Sequence, residues 1–488
     1  MKIRITLALL FLVFSNEVKS QSDIPQDYLN DEFHKSRREA LRASMPENSV
    51  AVFFANPVRN RSNDVSYVYH QDPNFFYLTG LKEPHSVLII YAEDQVEEDK
   101  TFNETLYIYE RSARGKIVLG ENTGVKGAKE KLGFTHVYPA QEFIDKPVDF
   151  SKFDKVLFKK IGTDVRQSGW EQPNLYALIE QFQTSINAIS MPKEKEIDSP
   201  SGDLVSVVDN KTLRTLMANL REVKVAEELK LLKKAVEISC VGQIEVMKAM
   251  HPKMSENETQ GIHEMVFKKY GAEFEGYPSI VGAGNNGCVL HYEMNNKMEV
   301  GNDLVLMDLG AEYHGYTADV TRTIPASGKF TREQKIIYDI VYDAQEAGIK
   351  AMVIGSDARK VDRAARDVVY EGLLRIGIID SLKHGRKYFP HGTSHHIGLD
   401  VHDLNNRSSF KENMILTVEP GIYIPEGSKC DKKWWGIAVR IEDDVLVTKN
   451  GPVNYSALAP RKSEEIEKMM EQESVFNDLQ LPDLDQGE

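Results

Sequence analysis

Four carboxylates and one histidine sit where ordinary packing would not put them. Asp308 closes the apolar run Leu304-Val305-Leu306-Met307. A carboxylate there loses hydration that only a cation or hydrogen-bond donors can replace. Asp319 follows in what reads as the partner strand of a hairpin, and two like charges brought that close need a cation between them or a shifted pKa. Glu419 directly follows the strand-like Met414 to Val418 and precedes Pro420-Gly421. Glu442 ends Ile437-Ala438-Val439-Arg440-Ile441-Glu442, where alternation puts the three branched aliphatics on one face and Arg440 with Glu442 on the other. His395 belongs to the densest histidine cluster, Pro390-His391-Gly392-Thr393-Ser394-His395-His396. Taken singly, each aspartate reads as a turn or capping residue and the histidine as structural. Together they form a hard, oxygen-rich donor set that suits Mn²⁺ best, with Co²⁺ or Zn²⁺ admissible because imidazole suits them too. So many anionic donors over-supply one ion, so two divalent ions fit better. A pair about 3.5 to 4 Å apart supplies both a hydroxide nucleophile at neutral pH and a Lewis acid for a carbonyl oxygen. That is the apparatus of metal-assisted hydrolysis.

Competing motifs fail on context. Gly282-Ala283-Gly284-Asn285-Asn286-Gly287 has dinucleotide-fingerprint spacing, but the fingerprint needs a helix after its third glycine. Here Cys288-Val289-Leu290-His291-Tyr292 reads as an extended run, so the glycines are expected to make a turn between strands. His263-Glu264 starts a zincin pattern, yet Phe267 holds the place of the second ligand. No Gly-x-Ser-x-Gly elbow is present to anchor a serine hydrolase.

The elements that must position these groups belong to a chain of 488 residues, enough for two to four folded units. With 41% hydrophobic and 27% charged residues the chain is of globular composition, which argues against wholesale disorder. A net charge of −14 provides no basic surplus for holding nucleic acid. Three scattered cysteines, Cys240, Cys288 and Cys430, make no disulfide scaffold and no Cys-x-x-Cys site. Lys2 and Arg4 precede the apolar run Ile5 to Phe14. That run is about half the length needed to span a bilayer, so residues 1–20 read as a cleaved secretory signal. The expected location is secreted or periplasmic, with no stable membrane anchor after cleavage. From Asp31 to about Ile189 strand-like Ser49 to Phe54 and Ser86 to Tyr91 alternate with helix-like Gln172 to Ile186. The charged, proline-broken stretch from Pro192 to Asp203 marks a boundary. Beyond it the pattern predicts helices over Ala226 to Ala249, Glu258 to Tyr270 (with Ser255-x-x-Glu258 as a capping box), Thr331 to Met352 and Arg359 to Ile376. Strands are expected at Asp303 to Gly310, Tyr316 to Ile324, Met414 to Val418 and Gly436 to Val447.

Five motifs in order resemble the series of the pita-bread metallopeptidases: Met307-Asp308-Leu309-Gly310, Gly315 to Thr323, His391 to His395, Thr417-Val418-Glu419-Pro420-Gly421 and Arg440-Ile441-Glu442-Asp443. Tyr69-His70-Gln71-Asp72-Pro73-Asn74-Phe75-Phe76-Tyr77-Leu78-Thr79-Gly80 by itself reads as an aromatic strand ending in a turn. Beside those motifs it resembles the N-terminal segment of the Xaa-Pro aminopeptidases (aminopeptidase P). The resemblance implies an α/β (α+β) fold, with a smaller mixed N-terminal domain (24–195), a linker (196–211) and a pita-bread catalytic domain (212–463) whose curved antiparallel sheet is covered by helices, ahead of an acidic tail (464–488). It further implies that Asp308 binds one ion, Asp319 and Glu442 bridge both, and His395 and Glu419 bind the other. Glu419 would also carry a proton to the leaving amine. His291 would stabilise the tetrahedral intermediate, His391 and His402 would flank the substrate, and Arg440 would support the metal ligands and the substrate's far side. The implied partners are peptides with proline in position two and further copies of the chain in a homo-oligomer. The nearest alternative is prolidase, with a non-catalytic binding protein of the same fold behind it.

Overall fold

The computed structural model describes residues 27–167, 171–190 and 207–477. The signal expected at residues 1–20 and the boundary stretch from Pro192 to Asp203 lie outside the described residues. Among the described residues no helix is long and apolar enough to cross a membrane.

The N-terminal unit is built on a six-stranded mixed sheet in the order Val137–Pro139, Lys100–Ile108, Val87–Glu97, Ser49–Phe54, Lys155–Phe158, Val208–Asp209. Ser49–Phe54 pairs antiparallel with Val87–Glu97 on one side and parallel with Lys155–Phe158 on the other. Its unbroken apolar run suits a central strand covered on both faces: Val50 and Val52 pack in a cluster with Phe150 and Phe182, while Ala51 and Phe53 join the main core. Val208–Asp209, inside the segment read as a linker, supplies the edge strand.

Residues 69–80 correct one reading. The aromatic stretch is a helix, Pro73–Thr79, and not a strand. Asp72 Oδ1 accepts from the Asn74 and Phe75 amides, Pro73 occupies the first turn, and Gly80 closes the helix at φ +71°. Those start and stop signals outweighed aromatic strand propensity. The helix joins the two domains. Phe75 to Leu78 are buried in the same core as the catalytic helices, Tyr77 Oη donates to Leu220 O at 3.2 Å, and Arg221 donates to Asn74 Oδ1 at 2.7 Å.

In the catalytic domain the helices Ala226–Ala249, Glu256–Lys269, Arg332–Lys350 and Ala358–Arg375 form where the periodicity predicts them. The Ser255–Glu258 capping box closes reciprocally. Every strand pair here is antiparallel, in short interrupted sheets. Leu304–Asp308 is central between Ile280–Ala283 and Thr321–Pro325. The expected hairpin is nested: beyond this long pair, Ala311–Tyr313 turns back on Tyr316–Thr317. Asp319 therefore lies between two strands and not inside one. Gly436 to Val447 is likewise two strands. Ile437–Arg440 pairs with Gly421–Ile424, and Asp443–Thr448 pairs with Ile415–Val418. Two of the three glycines lie in a 3₁₀ turn, Gly284–Cys288, and residues 289–292 after it form no strand.

Candidate metal centre

Each break in the sheet delivers a functional side chain to one cavity of about 410 Å³. Asp308 is the last residue of its strand, Glu419 the first after Ile415–Val418, and Glu442 the junction residue between its two strands. His395 is held by the backbone of Ile415–Val418: Thr417 N donates to His395 O at 2.9 Å and Glu419 N to Thr393 O at 2.9 Å. One strand thus fixes two of the five groups. Gly310 makes the Asp308–Asp319 approach possible, because a Cβ at that position would stand 1.8 Å from Ala318 O.

The predicted residues converge. One ligand atom each from Asp319, His395 and Glu442 lie within 4.8 Å of one another. His395 Nε2 is 3.5 Å from Asp319, 3.6 Å from Glu419 and 4.0 Å from Glu442. Asp308 joins through Tyr277, whose hydroxyl lies 2.6 Å from both Asp308 Oδ1 and Asp319 Oδ1. His291, His391, His402 and Arg440 line the same cavity. Arg440 is buried and donates to Asp308 Oδ2 at 2.6 Å and to Tyr423 Oη at 2.9 Å. His391 Nδ1 lies 2.7 Å from Gly392 O, so that nitrogen carries the hydrogen and Nε2 accepts from Tyr423 Oη at 2.8 Å. His402 stacks edge-on to His395 at 4.4 Å.

The electrostatics show what kind of group the cluster fits. Burial and then the Asp308 charge push Asp319 well above the ordinary carboxylate range. Burial with Asp319 and Asp308 does the same to Glu442. Glu419 is raised to about 8 by burial and the charge of Glu442. Burial acts most strongly on Asp308, to raise it, but the Arg440 charge together with hydrogen bonds from Tyr277 and Arg440 outweighs it and holds that carboxyl low. Burial, reinforced by Arg440, lowers His391 to about 4 and keeps it neutral. Carboxylates crowded in a dry pocket favour protonation unless a cation neutralises them. A hard cation is the group this donor set fits.

Sequence reasoning missed the residues that hold the five in place. Tyr277 bridges two aspartates, Thr321 Oγ1 donates to Glu442 Oε2 at 2.7 Å, Asp444 Oδ2 accepts from Asp319 N at 3.0 Å, and Tyr423 ties Arg440 to His391. Thr321 lies within the quoted Gly315 to Thr323 motif, where no role was assigned to it, and Asp444 adjoins the quoted Arg440 to Asp443. Tyr277, in Gly276-Tyr277-Pro278, carries no local signal.

A two-domain chain whose interrupted antiparallel sheet gathers these five donors is a metallopeptidase of the pita-bread class. A profile for Metallopeptidase family M24 matches residues 230–449, and one for the aminopeptidase P N-terminal domain matches residues 34–155. The chain is 34% identical over 449 residues to the Xaa-Pro aminopeptidase of Escherichia coli, covering 89% of this chain and 96% of that protein. It is 29% identical to human Xaa-Pro aminopeptidase 3, covering 90% and 84%. Among solved structures, Escherichia coli aminopeptidase P with the inhibitor Pro-Leu superposes with a TM-score of 0.79 at 31% identity, covering 91% of this chain and 98% of that one. Pseudomonas aeruginosa aminopeptidase PepP gives 0.78 at 31%, with the same coverage. The chain belongs to the Xaa-Pro aminopeptidase family and is a metal-dependent aminopeptidase.

Proposed function

We propose that this enzyme releases the N-terminal residue from peptides whose second residue is proline, with two divalent ions held between Asp308, Asp319, His395, Glu419 and Glu442. The observation that carries the reading is the convergence of these five donors, from segments far apart in sequence, on one cavity of mutually repelling carboxylates. Asp319 and Glu442 would bridge the ions, Asp308 would hold one, and His395 with Glu419 the other. Mn²⁺ matches this oxygen-rich set best, with Co²⁺ or Zn²⁺ admissible; a Zn-substituted Escherichia coli aminopeptidase P has been solved with product. When bound, such a pair supplies a nucleophile at neutral pH and polarises the scissile carbonyl.

The chain's own residues do the rest. Glu419 takes the proton of the attacking water and returns it to the departing prolyl nitrogen. That nitrogen starts as a tertiary amide without N–H, so the site needs no donor-gripping contact there. His291, exposed at the cavity wall, would donate a hydrogen bond that stabilises the tetrahedral species, and His402, exposed beside it, would flank the substrate. Arg440 fixes Asp308 and, through Tyr423, the ring of His391 beside the substrate. The test is cleavage of Xaa-Pro-Xaa and Xaa-Pro peptides before and after chelation. Turnover of the tripeptide that stops on metal removal and returns with Mn²⁺ supports the reading; turnover of the dipeptide alone assigns prolidase activity instead. The apolar run within residues 1–20 supports export to a secreted or periplasmic location, tested by the N-terminal sequence of the mature protein. A homo-oligomer is part of the same reading, tested by sedimentation.

A further inference from the structure

The cavity contains a fifth carboxylate that the chemistry does not use. Glu293 lies two residues past His291 in the stretch after the glycine turn, and its side chain lines the same cavity as His291, Leu290 and Val401 while remaining exposed to solvent. The other four carboxylates are engaged. Asp308 accepts from Arg440 and Tyr277, Asp319 sits against Tyr277, Glu442 accepts from Thr321, and Glu419 faces His391 and His395. Glu293 has no hydrogen bond or ion pair among the described residues. Arg440, the one guanidinium among the described residues lining the cavity, is buried and committed to Asp308 and Tyr423. A substrate side chain entering past His291 therefore meets a carboxylate that no side-chain cation among the described residues pairs with.

We infer that Glu293 is a specificity-determining residue that favours peptides carrying a guanidinium or ammonium side chain. This rests on the Xaa-Pro reading and deepens it by naming a substrate class. Proline occupies the second position, so the cation belongs to the first residue or to one after the proline. A solvent-exposed carboxylate–cation pair changes kcat/KM by about two- to fivefold, and added salt should erode the effect.

The experiment measures kcat/KM at low and high ionic strength for Met-Pro-Ala, Arg-Pro-Ala and Ala-Pro-Arg, each normalised to Ala-Pro-Ala in the same enzyme. Normalisation removes any loss common to all substrates. The native enzyme should favour one arginine peptide over its neutral counterpart by about two- to fivefold. Which arginine peptide responds places the cation before or after proline. Glu293→Gln should abolish the preference and its salt dependence, and Glu293→Lys should reverse it. An arginine preference absent from the native enzyme, or unchanged in both variants, overturns the inference. Failure to cleave any of the four peptides overturns the Xaa-Pro reading itself.

Discussion

Replacing Gly310 by alanine puts the whole positioning argument under load at one methyl group. The added Cβ would stand 1.8 Å from Ala318 O, 2.7 Å from Ala318 C and 3.0 Å from the Tyr277 ring. Cβ contacts under 3.0 Å essentially never occur, so the two connecting segments must part by more than an ångström at the oxygen alone. The obstacle is backbone and cannot rotate away. Gly310 is two residues past Asp308, Ala318 directly precedes Asp319, and Tyr277 bonds both carboxylates, so the displacement falls on the Asp308–Asp319 spacing. Overpacking of this kind costs about 1–3 kcal/mol of stability. The larger effect is on the site, where misplacement by about 1 Å lowers turnover about a hundredfold. The assay pairs thermal unfolding with calorimetric Mn²⁺ titration and tripeptide turnover. A folded Gly310→Ala enzyme with weakened Mn²⁺ binding and about a hundredfold lower kcat is expected. Native Mn²⁺ affinity and native kcat in that variant would refute the reasoning.

Three other perturbations probe separate parts of the account. Thr321→Val removes the donor to Glu442 Oε2 and should weaken metal binding by about 10- to 100-fold, as loss of a ligand's supporting hydrogen bond does, read by competition with a chelating dye. Arg322→Met takes away a fully buried guanidinium that donates to Asp443 Oδ1 at 2.7 Å and to the Thr321 and Glu442 carbonyls. Asp443 keeps Arg461 at 3.1 Å, so the loss should fall near the lower end of the buried-pair range, about 3 kcal/mol, measured by urea unfolding. Metal removal should make stability pH-dependent. In the metal-free fold Glu419 is raised from 4.5 to about 8, so its contribution is complete below pH 4.5 and is lost as pH climbs through about 8. The chelated protein should therefore unfold at a lower temperature at pH 8.5 than at pH 6.5. Mn²⁺ should restore more of the loss at the higher pH, and a chelated protein equally stable at both would contradict the charge-repulsion argument.

The long catalytic helices were legible because their apolar periodicity and caps agree, as at Ser255 and Thr331. Among the candidate donors, Asp308 and Glu419 were legible because a carboxylate ending an apolar strand conflicts with burial, and His395 because it sits in the densest histidine cluster. What escaped was set by contacts distant in sequence. The helix Pro73–Thr79 looked like a strand because its aromatic face is buried by the other domain, and the capping pair Asp72-Pro73 was the signal that could have shown it. The division of residues 436–447 at Glu442 follows from pairing with two different partners, Gly421–Ile424 and Ile415–Val418, which no local pattern announces. Tyr277 acts on Asp308 and Asp319 from 31 and 42 residues away, so only the assembled sheet shows its role.

The central claim is that the five donors seat a pair of ions, and anomalous diffraction from crystals of the Mn²⁺-loaded enzyme tests it most directly. The account predicts two peaks about 3.5 to 4 Å apart, with Asp319 and Glu442 touching both. A single peak that leaves Asp308 uncoordinated, or density outside this cavity, would contradict it.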